Sequence, residues 1–238
     1  MELLEDKTVS SIITENINTA KVFDKYNIHF GYGDDINLND VCVSRGIDIS
    51  QICAELSNVN PNNFYLRDYN SWKLELLLQF LVDVHHDKKK NDIKLLDTLN
   101  KLMYYKYSKN PIIQSKSELI KGITYELMDK MSKEENLIFP YIKKLISIEN
   151  DNSRNTIKDS FLQNNIDKIE KDRCQVCEDV KQIIELAEKI ESQEIKDESL
   201  HALIKKLKIF YYDLQVHNHI EKNILLPKAI QMEKSLVA

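Results

Sequence analysis

His217 and Glu221 stand four residues apart in the stretch His217-Asn218-His219-Ile220-Glu221. On a helix this spacing places an imidazole and a carboxylate on one face, one turn apart, the arrangement that chelates a metal ion inside a helical bundle. An isolated match of this kind is commonly a solvent-facing pair, so its surroundings decide. Glu134 supplies another carboxylate, in the middle of an apolar stripe formed by Ile120, Ile123, Leu127, Met131, Ile138 and Tyr141, with Lys130 one turn before it. Arg173 stands at the centre of a third stripe (Leu162, Ile166, Ile169, Val176, Val180, Ile184). On the stripe of Leu203, Phe210, Ile220 and Ile224, Asp213, His217 and Glu221 follow one another at one-turn steps. Buried ionisable groups cost several kcal/mol unless paired or metal-bound, so these residues read as one polar layer. A further stripe, Leu74, Leu78, Leu81, Leu96 and Leu99, centres on His85, while His86 lies about 100° round the helix.

The elements that carry these residues follow from composition. A chain of 238 residues with 4 Gly and 4 Pro lacks the turns of a β-sandwich and the glycine fingerprint of a dinucleotide fold, so the expected class is all-α. Helical spacing covers 68–107, 112–148, 157–192 and 197–222, and four long amphipathic helices with short connections predict an antiparallel four-helix bundle over 66–238. A small helical module over 1–60 precedes it, with cap residues Thr8, Asp40, Asp48 and Ser50 and the glycine cluster Gly31-Tyr32-Gly33; the linker is expected at 58–63, around Pro61. A net charge of −5 gives no reason to expect nucleic acid or an anionic membrane surface as partner. The longest apolar run, 76–82, is too short to span a bilayer, and the acidic start MELLEDK predicts a cytoplasmic location. Cys174 and Cys177 read as ordinary helix residues, with Cys177 on the inward side. Cys42 and Cys53 read as core of the first module, His29 and His201 as surface or packing histidines, and Lys88-Lys89-Lys90 as a solvated face.

Two longer motifs resemble a known family. Glu134-Glu135-Asn136-Leu137-Ile138-Phe139-Pro140 and His217-x-x-x-Glu221-Lys222-Asn223-Ile224-Leu225-Leu226-Pro227 resemble the paired glutamate motifs of the hemerythrin-like domain in the repair-of-iron-centres family (the YtfE/ScdA-like iron–sulfur cluster repair proteins). His85-His86-Asp87 with Ile93 and Leu96 is similar to that family's first-helix histidine motif. The segments Thr8-Val9, 20–28 and Ala54-Glu55-Leu56 resemble the small domain ahead of the bundle in ScdA-type members. The resemblance spans nearly the whole chain. It implies a hemerythrin-like fold, a non-haem di-iron centre held by four His and two Glu, and action on iron–sulfur proteins damaged by nitric oxide or oxidants. Carried over, the metal ligands are His86, Glu134, His217 and Glu221. Lys130 and Arg173 stand where two further histidines belong, and Phe30-Gly31-Tyr32-Gly33-Asp34 replaces the family's motif with a vicinal cysteine pair, so that thiol chemistry cannot occur at those positions.

Two readings stay open. In one, a single non-haem iron ion, one rather than two, is held by the four matched ligands, a set that also suits manganese or zinc. In the other the layer is metal-free, with Lys130 and Arg173 bridging Glu134, Asp213 and Glu221, and the protein is a non-catalytic binding or regulatory scaffold. An oxygen or nitric oxide carrier or sensor is a weaker third expectation, because ligands are missing. Oligomeric state and catalytic residues are not readable.

Overall fold

The computed structural model describes residues 3–31, 36–59, 69–151, 157, 160–192 and 198–236, and nothing follows on the side chains of 112, 116, 166–174, 186, 190 and 192. Every α, 3-10 or π element among them is helical, in agreement with the all-α expectation. The N-terminal module holds α1 (Val9–Glu15), α2 (Ala20–Lys25), α3 (Leu38–Arg45) and α4 (Ile49–Ser57). Thr8 and Asp48 cap α1 and α4, accepting hydrogen bonds from the N–H groups of Ser11 and Ser50. The cap of α3 is Asn37; Asp40 and Ser50, expected as caps, lie inside the first turns of α3 and α4. Gly46 ends α3 at φ 65°, a left-handed conformation that glycine adopts without strain. Tyr32, Gly33 and Pro61, with most of the expected linker, lie outside the described residues.

Four long helices form the bundle. The first (74–106) comprises α5 (Leu74–Phe80), a π turn (Leu81–His86) and α6 (Asp87–Lys106). The second (111–150) comprises α7 (Pro111–Lys133), a π turn (Glu134–Ile138) and α8 (Phe139–Asn150). The third is α9 (Phe161–Ser192). The fourth (198–236) comprises α10 (Glu198–Ile220), a π turn (Glu221–Leu225) and α11 (Leu226–Leu236). Helices α6 and α7, α7 and α9, α9 and α10, and α10 and α6 pack side by side, closing a square. The fourth helix therefore runs well beyond the expected end at 222. Pro227 does not stop it, because the π turn has just slipped the hydrogen-bond register: the N–H of Leu226 reaches the carbonyl of Glu221, five residues back, and the proline enters the first turn of α11. Phe139 and Pro140 repeat this arrangement against the carbonyl of Glu134.

The N-terminal module docks on the outer face of the fourth helix. The N–H of Phe30 donates to Gln215 Oε1 (3.1 Å), the Tyr211 hydroxyl meets His29 Nδ1 at 2.5 Å, and Thr14 Oγ1 lies 3.2 Å from His219 Nε2. Burial holds the His219 imidazole down at about 4, so it stays neutral under this cover. Gly31 presses directly on α10: a Cβ there would stand 2.8 Å from the Cα of Gln215. Residues of the module (Val9, Ile13, Phe23, Phe30, Leu38, Ile52) share one apolar core with the near end of the bundle (Leu77, Leu81, Phe139, Leu145, Leu225, Ala229). A separate core fills the far end, from Leu96, Ile123, Leu127 and Met131 to Val180, Leu207 and Phe210.

Two substitutions test this packing. Glu233 is fully buried and accepts hydrogen bonds from the Tyr141 hydroxyl (2.7 Å) and from the N–H groups of Leu162 (2.9 Å) and Gln163 (3.2 Å), which open the first turn of α9. Removing this carboxylate strands buried donors at the positive end of a helix, so Glu233→Ala is expected to lower the unfolding free energy by about 2–4 kcal/mol in urea titrations. Gly31→Ala forces a side chain into the backbone of α10 and is expected to cost about 1–3 kcal/mol, with faster proteolysis of the N-terminal module.

Candidate metal centre

The polar layer lies where the two apolar cores meet. His86 ends the first π turn, Glu134 and Glu221 begin the other two, and His217 stands one turn before Glu221 on α10. All four are at most 2 % exposed. The first π turn explains the choice between the two histidines. Leu74, Leu78 and Leu81 share a phase that continues to His85, but the extra residue in the turn advances the helix by about 100° and brings in His86. The buried series then runs His86, Lys89, Ile93, Leu96, Asn100 and Met103. His85 is displaced to the flank, where its ring packs edge-on against His217 at 5.5 Å and against Phe80 at 5.1 Å. Burial, with help from the ammonium groups of Lys89 and Lys88, pushes its pKa down to about 3.

Three side chains converge on one point. His86, Glu134 and His217 each offer a ligand atom within 4.8 Å of the others. His86 Nε2 lies 3.0 Å from Glu134 Oε2, and His217 Nε2 lies 3.8 Å from the same oxygen. Neither oxygen of Glu134, nor His86 Nε2, nor either ring nitrogen of His217 has a hydrogen-bond partner, although all are sealed from solvent. Buried polar atoms left this way are costly, and a cation at the point of convergence would satisfy them together. Glu221 approaches His217 Nε2 at 3.4 Å through Oε2 but stands outside the compact set of three. Burial, reinforced by Lys89, keeps His217 far below its usual pKa, in the neutral form that ligates. Burial and Glu221 work to raise the Glu134 carboxyl, but Lys130, His86 and His217 together hold it below the usual range.

Glu135, quoted in the motif but not singled out, orients His86. Its Oε1 accepts a hydrogen bond from Nδ1–H of His86 at 2.8 Å and another from Lys90 Nζ at 2.9 Å. This fixes the imidazole with Nδ1 protonated and turns the Nε2 lone pair inward, the outer partner that a metal-ligating histidine ordinarily has. The two-imidazole, one-carboxylate donor set fits one ion of the non-haem iron type and leaves coordination positions open. Lys130 points into the same layer, and the side chain of Arg173 lies outside the described residues.

Lys130 is inward, as expected, 3.5 Å from Glu134 Oε1 and donating to Asn218 Oδ1 at 3.0 Å. Asn218 in turn donates to the buried Cys177 at 3.1 Å. Two expectations are corrected. Asp213 does not join the layer; it sits at the rim, paired with Lys88, because its turn of α10 faces the exposed side of the first helix. Lys88-Lys89-Lys90 is not a uniformly solvated face: Lys88 and Lys90 hold rim carboxylates, but Lys89, one turn after His86, is 2 % exposed. The residue type concealed it, since a lysine triplet reads as surface; spacing from His86 was the signal that could have found it. A cavity of about 360 Å³ between α7 and α9 reaches the layer, lined by Tyr125, Glu126, Asp129, Lys130, Glu134 and Gln175 among others.

Comparison with known proteins agrees with this arrangement. The hemerythrin HHE cation binding domain model matches residues 77–229, and the ScdA_N model, described as a domain of unknown function (DUF542), matches residues 5–60. The chain is 22 % identical over 215 residues to the iron-sulfur cluster repair protein YtfE of Yersinia pseudotuberculosis, covering 90 % of this chain and 92 % of that protein. It is 21 % identical over 229 residues to the iron-sulfur cluster repair protein YtfE of Pectobacterium carotovorum, covering 96 % and 98 %. With a buried His–Glu layer in a helical bundle, a small helical module ahead of it and a family model matching most of its length, the chain belongs to the hemerythrin HHE cation binding domain family and carries an ScdA_N domain before the bundle.

Proposed function

We propose that this protein repairs iron–sulfur clusters damaged by nitrosative or oxidative stress, using one non-haem iron ion held by His86, Glu134 and His217 with Glu221 beside them. The convergence of unsatisfied donor atoms on one point carries the metal part of this reading, and the repair proteins it is similar to carry the rest. Bound iron would supply a redox-active Lewis acid with coordination positions open to an exogenous ligand. Glu135 holds His86 in register, and the apolar cores on both sides exclude water from the layer. The 360 Å³ cavity at Glu134 and Lys130 is the approach for a small ligand. The partners are damaged iron–sulfur proteins, met in the cytoplasm, and no helix of the described residues is long and apolar enough to cross a membrane.

A second reading is favoured by a specific observation: the ammonium of Lys130 already stands 3.5 Å from Glu134 Oε1 inside the layer. In that case the layer is a buried ion-pair network and the protein acts as a binding or regulatory scaffold through its surface.

Protein purified without a tag and loaded with ferrous iron is expected to hold about one ion per chain, against two for an intact di-iron centre. His217→Ala abolishes tight binding, and Glu135→Gln weakens it about tenfold to a hundredfold without changing the fold. The loaded protein is expected to restore activity to a [4Fe–4S] dehydratase inactivated by nitric oxide, and the His217→Ala protein is not. Two irons per chain would sink the single-ion reading; no binding and no recovery would favour the scaffold.

A further inference from the structure

Lys130 is anchored in the layer by a contact that a metal ion would leave intact. Its Nζ lies 3.5 Å from Glu134 Oε1 and donates to Asn218 Oδ1 at 3.0 Å. Asn218 is buried and donates from its Nδ2 to Cys177 Sγ at 3.1 Å, so one side-chain relay joins α7, α10 and α9. Both histidines of the convergent set face Glu134 Oε2, whereas Lys130 stands at the other oxygen of the same carboxylate. The hydrogen bond from Lys130 to Asn218 involves no ligand atom and does not have to break when the ligands take up an ion.

The same ammonium faces the way in. Among the charged groups that line the cavity of about 360 Å³ between α7 and α9, Glu134 and Lys130 are the least exposed, at 2 % and 14 %. Lys133 and Asp129 pair with each other at the rim (2.5 Å), and Glu126 is exposed. Neither His86 nor His217 lines the cavity, so a ligand that enters here meets Lys130 beside Glu134 before it reaches either histidine. We propose that Lys130, fixed by Asn218, makes the site selective for small anions. An anion approaching the open coordination positions of an ion in this layer comes within reach of the ammonium and pairs with it, where little water competes. A neutral ligand of similar size gains at most a weaker, uncharged hydrogen bond. The inference rests on the metal reading proposed above and assigns the class of ligand that the same site takes.

Cobalt(II), whose visible spectrum reports coordination directly, is the probe metal, with azide as the anion and imidazole, uncharged at about pH 8, as the neutral control. Wild type, Lys130→Met, Lys130→Gln, Lys130→Arg and Asn218→Leu are titrated with each at saturating cobalt, and folding is checked by circular dichroism. The Met and Gln proteins are expected to bind azide about tenfold more weakly than wild type and imidazole within about twofold of it. Lys130→Arg keeps most of the azide affinity. Asn218→Leu, which keeps the ammonium and removes its anchor, loses about threefold. The Gln variant preserves the test should the Met variant not fold. Azide bound as tightly by the two neutral variants as by wild type, or azide and imidazole weakened by the same factor, overturns the inference and leaves the metal reading standing, as does a wild type that takes up cobalt and ignores azide. A wild type that takes up no cobalt fails the metal reading and the inference with it.

Discussion

The fold is organised around the cost of burying charge. His86, Lys89, Lys130, Glu134, His217 and Glu221 occupy one layer of the bundle with apolar cores on either side. Neither core can supply hydrogen bonds, so whatever compensates these groups must come from within the layer or from a bound cation. Side-chain orientation there is consequently strict. The ring of His86 is held by Glu135 from outside the layer, Lys130 is held by Asn218, and Asn218 is held against Cys177 on α9.

Backbone irregularity delivers these groups. Regular α-helices would carry the stripe of the first helix into His85 and leave His86 to one side. A π turn there, and others opening at Glu134 and Glu221, concentrate the departures from α geometry in one layer. The N-terminal module completes the enclosure: it covers the face of α10 that carries His219 and Gln215, so the fourth helix is buried nearly all round as it passes the layer. Gly31, where a Cβ would stand 2.8 Å from the Cα of Gln215, is what allows the module to lie so close.

Much of this was legible in the sequence. Scarce glycine and proline and long 3.6-residue periodicities led to the helical bundle, and the polar residues interrupting the stripes led to Glu134, His217 and Glu221. What stayed hidden has physical causes. Periodicity assumes a constant turn angle, so it favoured His85, and the π turn that brings in His86 is invisible to it. Pro227 reads as a helix stop under α geometry and is accommodated once the register slips. Lys89 was concealed by its neighbours, since three consecutive lysines point in three directions and only one of these is inward. Asp213 shared the helical phase of His217 but met an exposed part of the first helix, a fact that depends on helix packing and not on spacing. The contacts that position His86 and Lys130 come from residues 49 and 88 positions away, which no local pattern encodes.

In the second and fourth helices, the glutamate of the layer also gives its carbonyl to the amide five residues on, and a proline follows that amide. The side chain that faces a cation and the backbone defect that aims it are thus written in one seven-residue phrase, apart from the other positions of the layer. Lys130 lies outside both phrases and Arg173 lies on α9, for which no π turn is described. The chemistry of the layer at Lys130 can be changed without the scaffold having to be rebuilt. A bundle of this kind keeps the shape of a metal site as a property of its main chain, and the nature of its occupant becomes a separate, side-chain choice.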